Sequence, residues 1–321
     1  MKKWGWLTIR AGFSLVLLSL LFWKTDFHQF SGVFRNMNIF LFLVSFLSYM
    51  LLFILMAYRW QVLLRVLGIT IPIRRLYKTY LVGVFFNNFL PTTIGGDIAR
   101  GYNLYQFTQK GKETAVSVVV ERFLGFTSLL IIGVAGLALS YSSLRDPLLA
   151  WLILFAIFAY FITLIVVLTP TTFLLTDRFL YKFNFRKLDL KMHRIPEVIS
   201  VYRSSPYILL RLIIFSLLLQ TIAILIYYIL CYSLHLDIPL LYVFFFFPII
   251  NIVSMIPISL GGLGIREGIS VYLFQKIGIV SAHAMGLSLA WYSIILCISA
   301  IGGIIYALGN ADQMPPPVST V

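Results

Sequence analysis

The sequence predicts an all-α integral membrane protein with about six full transmembrane helices and two oppositely oriented re-entrant helical hairpins forming an inverted repeat. Three observations predict it. Of the 321 residues, 60% are hydrophobic and 11% charged, with a mean hydropathy of +0.96, whereas soluble chains carry about a quarter charged residues. Several apolar runs reach the roughly 18 residues that can cross a bilayer core of about 30 Å. Finally, a polar, glycine-bearing element occurs twice, as P-T-T-I-G-G-D-I-A-R at 91–100 and P-I-S-L-G-G-L-G-I-R at 257–266. A helix-breaking polar element repeated once per half is a sign of a membrane transporter built from two related halves.

Taken in order, Lys2 and Lys3 precede an apolar run that reaches Trp23 without a small-residue cleavage site, which predicts a retained first helix. Full spans are expected at about 6–23, 39–57, 124–141, 148–168, 207–233 and 281–308. Residues 79–90 and 241–257 are apolar but run into the two proline-glycine elements, so their path is decided by charge. If 79–96 dips into the membrane and returns, cytoplasmic segments collect 20 of the 25 basic residues, including five in a 59–78 loop and eight from Arg178 to Arg211. If that stretch crossed fully, the eight-charge loop would face outward, against the positive-inside rule. The re-entrant arrangement follows, with both termini cytoplasmic and the bacterial cytoplasmic (inner) membrane as the expected location. The expected unit is a single polytopic domain, 1–310, with pseudo-repeat halves at about 1–141 and 148–308 and a disordered tail at 311–321. The 171–206 loop mixes basic and aromatic residues, as a solvated loop or helices on the inner membrane surface would.

Charge and cysteine usage exclude several classes. The net charge of +14 is accounted for by topology and attraction to anionic headgroups, so no nucleic-acid partner is implied. Cys231 and Cys297 sit in apolar runs without a CxxC or Cys/His spacing, and the four histidines are scattered, which points to neither a metal site nor a disulfide framework. No nucleophile elbow, P-loop or dinucleotide fingerprint occurs, and no cofactor or catalytic residue is expected.

Ionisable residues at membrane depth are the candidates for function. In the first element Gly95 and Gly96 are expected to break one helix, with Asp97 at the N-cap of the next and Arg100 one turn on. Such a helix start presents N–H groups and a positive dipole end to a phosphate oxygen. The second element offers the same with Gly261, Gly262, Arg266 and Glu267. Glu121 and Arg122 stand at the entrance of the 124–141 span, either as an interfacial ion pair or as part of the first element's site. Asn87, Asn88 and Asn251 either cap broken helices or bind a headgroup. The competing account of the repeat is packing, with glycines allowing close helix approach and Asp97 neutralising Arg100.

The motifs F-L-P-T-T-I-G-G-D-I-A-R-G-Y at 89–102, V-E-R-F-L-G at 120–125 and N-I-V-S-M-I-P-I-S-L-G-G-L-G-I-R-E-G at 251–268 resemble the lysylphosphatidylglycerol synthase transmembrane family, also called flippase-like domain proteins. The resemblance runs from about residue 7 to 308. It implies likeness to the membrane half of the multiple peptide resistance factor, which moves aminoacylated phosphatidylglycerol between leaflets. It also implies that Asp97, Arg100, Glu121, Arg122, Arg266 and Glu267 take the place of the family's polar cavity residues. Lysyl transfer in the full-length proteins belongs to a soluble C-terminal domain, and this chain stops after its last helix. The expectation is therefore a transporter of an anionic lipid, either a phospholipid such as a phosphatidylglycerol derivative or a polyprenyl-phosphate glycolipid. The alternative is a membrane enzyme, or the subunit of one, that modifies a lipid headgroup or lipid-linked sugar. A lipid-modifying enzyme is a possible partner.

Overall fold

A computed structural model describes residues 27–89, 95–144, 154–162, 205–255 and 261–309, with Ser19, Leu21, Trp23, Trp151, Tyr202 and Ser259. The expected 6–23 span, most of the 148–168 span and the 171–206 loop, and the 311–321 tail lie outside the described residues. All regular structure in the described residues is helical: α1 (Phe27–Arg35), α2 (Ile39–Val66), α3 (Ile73–Phe89), α4 (Gly95–Thr108), α5 (Gly111–Leu144), α6 (Pro206–Ser233), α7 (Leu240–Ser254), α8 (Ile265–Gln275) and α9 (Ser281–Gly309).

Four of these helices, α2, α5, α6 and α9, are long and apolar enough to cross a membrane; at 1.5 Å per residue the 28 residues of α2 span about 42 Å. Their outer faces are apolar. On α2, Ile39, Leu43, Leu47 and Leu51 recur at helical spacing and all are exposed, a stripe that water would penalise and lipid does not. Buried polar groups such as Arg59, Arg100, Glu121 and Glu267 lie inside instead. This is an integral membrane protein.

Local signals fix the helix ends. The Asn38 side chain accepts from the N–H groups of Phe40 and Leu41 at the start of α2. Its end is closed by Gly68, at φ +68°, with Ile69 N–H returning to the Leu64 carbonyl. Pro206 opens α6 at a position where a missing N–H costs nothing. Three helices start or end differently from the sequence expectation: α3 begins at Ile73, which takes Arg74, Arg75 and Lys78 out of the expected 59–78 loop, and the other two are α2 and α5. Helix α2 runs to Val66, not to 57, so Arg59 and Arg65 belong to the helix and not to a 59–78 loop. Helix α5 begins at Gly111, so Glu121 and Arg122 sit about three turns inside it and not at its entrance. In both cases polar side chains, among them Gln61 and Thr114, find partners within the protein and allow the helix to continue past the apolar run.

Packing brings the short helices to the centre. Helix α3 lies against α4, and α7 against α8, each as an antiparallel pair: Thr79 meets Asn103 while Asn87 meets Gly96, and Phe246 meets Phe274 while Ser254 meets Gly262. Helix α3 also packs on α9, and α7 on α5, so each pair rests on a long helix from the other half of the chain. Helices α2 and α6 run antiparallel, with Asn38 N–H donating to the Ser233 carbonyl at one end (2.7 Å) and Arg59 meeting Ser216 further along.

Close backbone approach makes two of these contacts depend on glycine. A Cβ on Gly96 would collide with the Gly83 carbonyl oxygen, and one on Gly302 with the Leu81 carbonyl oxygen. Gly302→Val is therefore expected to separate α9 from α3 at a cost of about 1–3 kcal/mol or more. It should lower the thermal midpoint and the monodisperse yield in size-exclusion chromatography. Gly268→Ala, with open space around it, should leave both unchanged.

Candidate functional site

The ends of the two short-helix pairs open onto one cavity of about 400 Å³. Its wall includes Asn87, Asn88, Gly96, Asp97 and Arg100 from the first element, Glu121 and Arg122 from α5, and Asn251, Gly261 and Arg266 from the second. Residues far apart in sequence thus converge at one polar point within an apolar protein. Gly95, Gly262 and Glu267 do not line it: Gly95 is buried in the first turn of α4 and Gly262 packs against Ser254.

The first element is built around Arg100, which is 6% exposed. Its Nη1 pairs with Glu121 Oε2 (2.9 Å) and its Nη2 with Asp97 Oδ1 (3.1 Å). The guanidinium also lies near the rings of Tyr80 and Trp60, 4.6 and 5.0 Å from their centroids. Trp60 is held by its indole N–H on Ser117 Oγ. The other ends of both carboxylates are taken as well. Glu121 Oε1 receives Arg59 Nη2 (3.2 Å), and Arg122 Nε pairs with Asp97 Oδ2. Arg59 Nη1 in turn donates to Ser216 Oγ (2.8 Å) on α6. The result is a chain of charges, Arg59–Glu121–Arg100–Asp97–Arg122, in which every member has a partner of opposite sign.

Two sequence expectations change here. Asp97 is not an N-cap, and Gly95 and Gly96 do not end a helix. They form the first turn of α4, with Asp97 inside that turn. The Gly96 N–H is satisfied by Asn87 Oδ1 (2.8 Å) from the facing helix, which leaves the Asp97 carboxylate free to bind arginines. Arg59, counted in sequence as an ordinary cytoplasmic charge, is a buried member of the cluster.

The second element has different chemistry from the first, not the same geometry repeated. Glu267 is fully buried. It accepts from the Gly264 N–H (2.6 Å) and from the Ser288 hydroxyl (3.1 Å). It therefore neutralises the start of its own helix, behind the cavity wall. Gly261, Gly262 and Gly264 all have positive φ, which only glycine adopts without strain, and this tight turn carries the chain to Arg266. Arg266 Nη2 donates to the Gly261 carbonyl (2.8 Å) and its guanidinium lies 4.9 Å from the Tyr292 ring centroid. No carboxylate pairs with it among the described residues, and its Nη1 is buried without a hydrogen-bond partner.

The asparagines divide similarly. Asn88 and Asn251 each donate from the amide to a carbonyl one turn back, on Val84 and Phe247. Gln220, Tyr49 and Trp291 also line the cavity and carried no signal in sequence. Pro91, Thr93 and Pro257 of the repeated element lie outside the described residues.

A family model described as the lysylphosphatidylglycerol synthase TM region matches residues 7–303. A UPF0104 membrane protein of Methanothermobacter thermautotrophicus is 26% identical over 252 residues, covering 72% of this chain and 74% of the relative. Another UPF0104 membrane protein, from Methanocaldococcus jannaschii, is 31% identical over 130 residues, 38% of each chain. No solved structure matches this chain. With its apolar spans and a match over nearly its whole length, the chain belongs to the lysylphosphatidylglycerol synthase transmembrane-region family, whose membrane domain is flippase-like.

Proposed function

We propose that this protein moves an anionic lipid between membrane leaflets, holding the headgroup phosphate at Arg266 while the acyl chains stay in the bilayer. The observation that carries this is the guanidinium of Arg266, which has no carboxylate partner among the described residues, in a cavity where every other arginine pairs with one. The Arg266 side chain is half-buried, its buried Nη1 has no hydrogen-bond partner among the described residues, and a bound phosphate oxygen supplies one as a charge-assisted hydrogen bond. A cavity of about 400 Å³ accepts a headgroup but not a whole lipid. The two arginines of the repeat then do different work. Arg266 receives the phosphate, and Arg100 holds the wall together through Asp97 and Glu121.

The finer topology belongs to the same proposal. The α3–α4 and α7–α8 pairs are two oppositely oriented re-entrant hairpins in a single polytopic unit with cytoplasmic termini in the inner membrane. The antiparallel α2 and α6, and the cross-packing of each short pair on the other half, support inverted halves. Non-helical backbone at membrane depth is tolerable here because it borders a cavity.

The test is native mass spectrometry with lipidomics on gently purified protein, wild type against Arg266→Ala. One class of anionic lipid retained by wild type and lost in the variant is the expected result. The same lipids on both would put the phosphate site elsewhere. A covalent change in the mass of the bound lipid after incubation would favour the enzyme alternative.

A further inference from the structure

The charge and hydrogen-bonding groups of the cavity define the headgroup more narrowly, given the lipid-binding role proposed above. Four arginines line the wall, Arg59, Arg100, Arg122 and Arg266, against two carboxylates, Asp97 and Glu121. Both carboxylates are already bound twice by arginine. Glu267, the remaining acid near the site among the described residues, is fully buried and spends its oxygens on Gly264 N–H and Ser288. Even with Glu267 included, positive charge exceeds negative. A headgroup ammonium would therefore meet arginines and, among the described residues, no available carboxylate, a like-charge arrangement that disfavours binding.

The uncharged part of the wall has a different character. Asn88 and Asn251 use their amide N–H on their own helices, which leaves each side-chain oxygen as an acceptor. Gln220 makes no side-chain hydrogen bond among the described residues and can both donate and accept. Tyr49 and Trp291, with rings 4.7 Å apart, add aromatic surface to the same wall. Carboxamides beside aromatic faces suit hydroxyl groups on a short carbon chain or ring.

We infer that the cavity selects a lipid whose phosphate is the only charge on its headgroup and whose remaining headgroup bears hydroxyls, a glycerol or sugar phosphodiester, and that it rejects an aminoacylated, cationic form. The family description names lysylphosphatidylglycerol; this cavity is matched to the lipid before such a modification.

The experiment is competitive binding to the full-length protein in neutral nanodiscs, read by native mass spectrometry. The probes are phosphatidylglycerol, lysylphosphatidylglycerol, phosphatidylmethanol and water-soluble glycerol phosphate. Phosphatidylglycerol is expected to bind about tenfold or more tightly than the lysyl form, and more tightly than phosphatidylmethanol, which has the same charge and no hydroxyl. Gln220→Leu should narrow the difference between phosphatidylglycerol and phosphatidylmethanol without changing binding of the latter. Equal or tighter binding of the lysyl lipid, still weakened by Arg266→Ala, would overturn the selectivity and leave the phosphate site standing. Equal binding of phosphatidylmethanol would overturn the assignment of the amides to hydroxyls. Retention of none of the lipids, or equal competition by glycerol phosphate, would overturn the lipid-transport proposal itself.

Discussion

Glu121→Gln is expected to remove most of the folded protein from detergent extracts. The carboxylate sits 1% exposed between Arg59 and Arg100, and its loss leaves two buried guanidiniums with only Asp97 to balance them and Arg122. Removing one member of a buried ion pair costs about 3–5 kcal/mol, a large share of the roughly 5–15 kcal/mol of net stability typical of a folded domain. Glutamine keeps the shape of the side chain, so the loss reads charge and not volume. Arg59→Met in the same background removes one of the stranded cations and should recover a large part of the yield and thermal midpoint. Additive losses in that double-mutant cycle would show that Arg59 and Glu121 do not act as a pair.

Arg266→Ala should behave in the opposite way, keeping the fold and losing transport. Within the protein Arg266 contacts the Gly261 carbonyl and the Tyr292 ring, and truncating it strands no buried carboxylate among the described residues, as loss of Arg100 would strand Glu121 and Asp97. Truncating a charged partner of a phosphate costs about 2–5 kcal/mol, about thirtyfold or more in rate if the contact forms on the transport path. The measurement is leaflet exchange of a labelled anionic phospholipid in proteoliposomes, with Arg266→Lys keeping part of the activity because it retains charge without the planar fork. Wild-type rates for Arg266→Ala at equal reconstitution would refute the role given to Arg266.

The all-helical, membrane-spanning fold was legible because the bilayer demands long apolar helices, and α2, α6 and α9 answer directly to apolar runs. The repeated element was legible for a similar reason: glycines and arginines are conspicuous in such a background. What could not be read was pairing between distant segments. Arg59 stands beyond an apolar run and looks like a topological charge. Only its contact with Glu121, 62 residues away, shows it to be buried. The Asn87 cap on Gly96 comes from a facing helix, so no local capping rule finds it. Glu267 is the converse case. Its position three residues after Gly264 lets its carboxylate reach back to the Gly264 N–H, one half of a capping box, and that local role withdrew it from the cavity. Identical spacing in the two elements therefore did not mean identical chemistry. The arginine nine residues after the proline is balanced by carboxylates from α4 and α5 in the first copy and has no carboxylate partner among the described residues in the second.

Because α3 rests on α9 and α7 rests on α5, each short pair takes part of its packing surface from the other half of the chain. On the inverted arrangement proposed above, a polypeptide of half this length would need a second copy, inserted the other way up, to supply the missing wall. Two such copies would make these same contacts as a dual-topology dimer, with the cavity on its symmetry axis. Joining them in one chain is what allows the two arginines to differ, since identical copies would have to carry the same carboxylates on both sides.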